Sequence, residues 1–133
     1  MPETYGTAPD LIALERLADQ ALLDLPEAFR TFAQGLTIRV EDFPADDVVQ
    51  EMKLESAFDL LGLYQGVPLN AKSLSDTPED LDRVFLYRRP ILDYWAESGE
   101  TLEHLVRHVL IHEIGHHFGL SDDDMHAIEE ETD

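Results

Sequence analysis

His112, Glu113 and His116 are spaced as HExxH within a stretch of helical apolar periodicity. Residues four apart lie one above the other on a helix, so both imidazoles can reach one metal ion about 2.0–2.1 Å from each nitrogen. Glu113 falls about 100° round from His112 and about 60° from His116, which lets it flank such an ion without ligating it. From there it could accept a proton from a water whose pKa a bound metal has lowered from about 15.7 to about 7. It could later pass that proton to a leaving amine. Zinc chemistry asks for a third protein ligand and an open fourth position. Gly119 can take the left-handed conformation that ends a helix and turns the chain back, which would bring Asp122 towards the histidines. The full pattern is HExxHxxGxxD, far rarer by chance than a bare HExxH. His126 is the alternative third ligand, one helical turn beyond Asp122.

The elements that must carry these residues can be read from apolar spacing. Leu102, Leu105, Val106, Val109, Leu110, Ile114 and Phe118 predict one helix over 101–118 that crosses the core and stops at Gly119. Ser121 and Asp124 have the spacing of a capping box and predict a last acidic helix through Ile128. Leu11, Leu14, Leu17, Ala18, Ala21, Leu22 and Leu25 predict an N-terminal helix, and Pro26 suits the first turn of a short second one through Phe29 and Phe32. Alternation predicts strands over 36–41, 63–65 and 84–88, the last two closed by Gly66 with Pro68 and by Pro90. The link between them carries Asn70, Ser73, Ser75, Asp76, Thr77 and Pro78, a turn-rich surface excursion. Residues 46–61 fit a helix or a loop equally. This is an α+β pattern in a single domain over 1–133, with 1–9 and 129–133 as loose termini.

Composition narrows the partners. Among 133 residues, 29 are Asp or Glu and 9 are Lys or Arg, a formal net charge of −20. Such a surface repels phosphate backbones and anionic membranes, so neither nucleic acid nor membrane is expected as a partner. It favours cationic peptides and gives solubility. With no cysteine, any metal is held by nitrogen and oxygen ligands. The start Met1-Pro2-Glu3-Thr4 lacks the basic and apolar regions of a secretory signal, which makes the cytoplasm the expected compartment.

Together, Leu86-Tyr87-Arg88-Arg89-Pro90, residues 108–120 as HVLIHEIGHHFGL and the acidic Ser121-Asp122-Asp123 resemble the small bacterial zincin-like metallopeptidase family. The extended motif also resembles the metzincin peptidases in their aspartate-ligand variant. The likeness runs from about Leu22 to Ile128 and includes Leu25-Pro26-Glu27 and Leu61-Gly62-Leu63-Tyr64. It implies a zincin-like α+β domain, with a small mixed sheet packed on a metal-binding core helix, N-terminal helices and a short C-terminal helix. It further implies Zn2+ on His112, His116 and Asp122, with Glu113 as general base in peptide-bond hydrolysis. No Met-turn can be placed, because only Met125 follows the motif; it is expected to pack under the last helix. The C-terminal subdomain of the larger metzincins is not expected here, which points to short or unstructured peptides as substrates, with the charge favouring basic ones. The alternative function is a non-catalytic, metal-stabilised module that binds a peptide or protein.

Other residues have weaker claims. His104, His108, His112 and His116 form an i, i+4 ladder that drifts about 40° per step, so His104 turns to solvent while His108 stays beside the site as support or packing. His117 is expected as a buried, hydrogen-bonded imidazole near Val106 and Leu110. Strand 84–88 is expected to offer its edge to an extended peptide, with Tyr87 or Arg88 steadying the oxyanion. Glu129, Glu130 and Glu131 read as an exposed terminus.

Overall fold

The computed structural model describes residues 6–66 and 83–132, apart from positions 32 and 34. The turn-rich link over 67–82, Phe32 and residues 1–5 lie outside them. Helix α1 (Leu11–Leu23) starts where the Asp10 carboxylate accepts from the Ala13 amide at 2.8 Å. A short α2 (Glu27–Arg30) follows Pro26, then β1 (Thr37–Glu41). The ambiguous stretch resolves into α3 (Asp46–Glu51) and a 3₁₀ turn over Ala57–Asp59, capped reciprocally by Ser56 and Asp59. Strands β2 (Gly62–Gln65) and β3 (Arg83–Tyr87) lead to α4 (Arg88–Ser98), α5 (Leu102–His117) and α6 (Asp122–Thr132). No helix among the described residues is long and apolar enough to cross a membrane.

The sheet order is β1-β3-β2, with β1 parallel and β2 antiparallel to β3. This corrects one expectation: β3 is the central strand, hydrogen-bonded on both sides, and cannot offer an edge. Of the two outer strands, β2 lies against α5, where the Tyr64 amide meets Glu113. Tyr87 donates its amide to the Leu61 carbonyl at 3.0 Å, so residues 61 and 87 are a hydrogen-bonded pair. Alternation along the antiparallel ladder then turns the amides and carbonyls of Gly62 and Tyr64 outward, away from β3.

Val84 and Leu86 of β3 face the helices, as do Leu14 and Ala18 of α1 and Leu105, Val106, Leu110, Ile111 and Ile114 of α5; all are buried at 1% exposure or less. At about 1.5–3 kcal/mol for each fully buried large aliphatic side chain, this layer is the main force holding α5 in place. Helix α5 also approaches β2 closely. A Cβ on Gly62 would stand 2.7 Å from Val109 Cγ1 and 3.2 Å from the Phe85 carbonyl, so only glycine admits the helix here.

Helix α4 was not expected, because Pro90 reads as a strand stop. Pro90 lies in the first turn of α4, where its missing amide has no intrahelical partner to lose. The terminus also differs from expectation. Residues 129–132 continue α6 rather than lying loose, and Glu129 is only 8% exposed.

Candidate metal centre and its surroundings

Helix α5 begins at Thr101, whose hydroxyl accepts from the His104 amide, and ends at Phe118. Gly119 follows at φ 78°, a left-handed conformation that β-carbons disfavour. The chain reverses, and Ser121 and Asp124 close the expected capping box: each backbone amide donates to the other's side chain at 3.1 Å. That fixes the start of α6 beside the end of α5. Met125 then packs, fully buried, into the space a Cβ on Gly115 would fill, with its Cγ 2.8 Å from that position. It lies between α5 and α6, as expected of it.

This turn brings His112, His116 and Asp122 together. One donor atom from each lies within 4.8 Å of the others, and His116 Nε2 is 3.6 Å from Asp122 Oδ1. The group opens to solvent: the side chains of His116 and Asp122 are 58% and 87% exposed. Burial, and then the nearby His108, hold His112 below the usual imidazole pKa, while Glu129 pulls the other way. The net effect favours the neutral ring that a metal needs. Two imidazoles and a carboxylate match the ligand chemistry of a zinc site, so the residues fit the ion. His126 does not join them. Its exposed ring has Nδ1 3.7 Å from Glu129 Oε2.

Glu113 is half-buried beside the group, and its carboxylate Oε1 accepts the outward amide of Tyr64 at 3.2 Å. Burial raises its pKa above the usual carboxylate value, against the lowering effects of that hydrogen bond and of His116. Its carboxylate therefore holds a proton more readily than a solvated one.

Tyr87 and Arg88 are not among the grouped donors: Tyr87 takes the other face of the sheet, within electrostatic reach of Glu113, and Arg88 is engaged away from the group. Tyr87 alternates with Val84 and Leu86 and so shares the opposite sheet face with Phe85, in a hollow lined also by Arg39, Glu41, Asp47 and Arg83. Burial, with Glu41 adding to it, pushes its phenol up to about 12. The Arg88 guanidinium donates to the Pro9 carbonyl at 2.6 Å and pairs with Asp42 at 3.1 Å.

The remaining histidines divide. His104 is half-exposed and pairs with Glu100 at 2.7 Å. His117 stacks on Tyr64, with ring centroids 3.8 Å apart and planes 14° apart, and meets the edge of Phe118. Its buried Nε2 has no hydrogen-bond partner among the described residues, so the expected hydrogen bond is not made there and stacking holds the ring. His108 Nδ1 lies 2.6 Å from Glu129 Oε1, which is also 3.4 Å from His112 Nε2. Sequence reasoning missed Glu129 by counting it with its solvated neighbours. The signal was its spacing: Asp122, Met125 and Glu129 follow at i, i+3 and i+7 and form one stripe of α6, with Met125 marking the buried side.

The profile of a family described as zincin-like metallopeptidases matches residues 33–132. Among solved structures, a conserved hypothetical protein from Thermo thermophilus is similar at 23% identity, with a TM-score of 0.54, covering 82% of this chain and 94% of that one. That likeness supports the fold. No curated protein matches the chain.

Proposed function

The chain belongs to the zincin-like metallopeptidase family, and from that premise we propose that it is a zinc-dependent peptidase in which His112, His116 and Asp122 hold the ion and Glu113 is the general base. The observation that carries this reading is the placement of Glu113. Its carboxylate is half-buried beside the His112, His116 and Asp122 group and is tied to the outward side of β2 by the Tyr64 amide. A purely structural zinc site closes its fourth position with protein and has no use for such a carboxylate. When bound, zinc supplies Lewis acidity and a water acidified towards neutral pH.

The chain's own groups account for the rest. Desolvation makes the Glu113 carboxylate a stronger base than a solvated one, suited to taking a proton and returning it to the leaving amine. The Tyr64 amide fixes its orientation. The net charge of −20 favours the approach of basic peptides.

The test is digestion of a peptide library by the zinc-loaded protein beside Glu113→Gln and a chelated sample, with products identified by mass spectrometry. The reading expects cleavage by the wild type alone. Zinc retained without any cleavage would instead favour a metal-stabilised peptide-binding module, and cleavage that survives Glu113→Gln would contradict the mechanism.

A further inference from the structure

We infer that His108, His112 and Glu129 form a second seat for a divalent transition-metal ion, which overlaps the solvent-facing group through His112. One donor atom from each of the three lies within 4.8 Å of the others. Unlike Asp122, which is 87% exposed, Glu129 is carried on the buried stripe of α6, and its side chain is 10% exposed. A carboxylate removed from water this far must be compensated by charged or ligating partners. The groups facing it include the imidazoles of His108 and His112, with His126 one turn back on α6.

The distances separate two kinds of contact. Donors about 2.0–2.2 Å from a tetrahedral zinc stand roughly 3.3–3.5 Å apart. The 3.4 Å between His112 Nε2 and Glu129 Oε1 is such an edge, too long for a good hydrogen bond. His108 Nδ1, at 2.6 Å from the same oxygen, makes a hydrogen bond without metal. Its side chain is 42% exposed and can rotate by under about 1 Å to become the third donor.

The two groups meet only at His112 and do not merge into one five-residue cluster. A neutral imidazole offers one lone-pair nitrogen, so occupation of the inner seat withdraws His112 from the outer one. Two imidazoles and a carboxylate suit Zn2+, Co2+ or Ni2+. The inner seat therefore acts as an alternative position for the ion, in competition with the group beside Glu113.

This inference stands apart from the peptidase reading, and its test reads metal rather than cleavage. Metal-stripped chain is titrated with Co2+ alone, followed by visible absorption and by metal content after dialysis. The variants are His116→Ala/Asp122→Ala, which removes the outer donors, and the same protein with Glu129→Gln added. The expected result is about one Co2+ per chain in the double variant, with the absorption of a low-coordinate nitrogen and oxygen site. Glu129→Gln then weakens binding by more than about 100-fold, beyond the 10–100-fold that loss of an outer partner costs. His108→Ala, at a half-exposed position, is expected to match that loss and replaces Glu129→Gln if circular dichroism finds the latter unfolded.

Failure of the double variant to bind Co2+ would overturn the inference and leave the trio as an internal ion pair only. Binding that survives both Glu129→Gln and His108→Ala would also overturn it, by assigning the ion to the acidic surface. A wild-type chain that cleaves no peptide would count against the proposed function and leave this result untouched.

Discussion

The first ten residues of α5 and the last six meet different surroundings. Leu105, Val106, Leu110 and Ile111 are buried among α1 and the sheet. His112, Glu113 and His116 are partly exposed and meet Asp122 and Glu129 from α6 and Tyr64 from the outward side of β2. The first region depends on apolar area, which is non-directional and tolerates shape-conserving change. The second depends on the relative placement of three elements, held by the Gly119 reversal, the Ser121–Asp124 cap and the close approach at Gly62. Stability and chemistry should thus be separable along a single helix.

The largest expected effect tests that separation from the site side. Glu113→Gln should lower peptide cleavage by about 100- to 10,000-fold while leaving bound zinc in place, since the carboxylate is read as a base and not a ligand. Steady-state kinetics together with metal content checks both parts. Its thermal midpoint should stay level or rise, because a half-buried carboxylate has been replaced by a neutral amide. From the other side, Leu110→Ala should cost about 2–5 kcal/mol in denaturant unfolding, with the zinc affinity of the folded protein unchanged. A matched loss of zinc affinity would break the comparison.

Gly62→Ala joins the two regions. The added methyl meets Val109 and the Phe85 carbonyl, so it should cost about 1–3 kcal/mol and push β2 away from Glu113. Stability and cleavage should fall together here, and Val109→Ala in the same chain should restore part of the stability. The smallest effect lies on the far sheet face. With its pKa raised to about 12, Tyr87 keeps its proton in the folded chain after the unfolded chain has begun to lose it near 10. The unfolded state then binds fewer protons, so its contribution to stability is complete below about pH 10 and is lost as pH rises towards 12. Thermal midpoints across that range should decline less steeply in Tyr87→Phe.

What could be read in the sequence follows the same division. Helix α5, its stop at Gly119, the capping box and the grouping of Asp122 with His112 and His116 all rest on local spacing, and local spacing was legible. The strand segments were legible for the same reason. Their order was not, because alternation within β3 contains no record of which strands flank it. The direction of Tyr87 away from α5 follows from Val84 and Leu86 taking the helix side, a choice between two faces that alternation alone leaves open. Helix α4 was missed where Pro90 has two meanings, strand stop and helix first turn. Glu129 was masked by its charged neighbours, although Met125, four residues earlier on the same stripe, marks that face of α6 as buried.

The most direct test of the central claim is the zinc content of the purified wild type beside Glu113→Gln and His116→Ala, measured by elemental analysis on the samples used for peptide cleavage. The account predicts about one zinc per chain in the wild type and in Glu113→Gln, cleavage by the wild type alone, and no cleavage by His116→Ala whatever metal it retains. Absence of zinc from a reconstituted wild type, or equal cleavage by all three proteins, would contradict it.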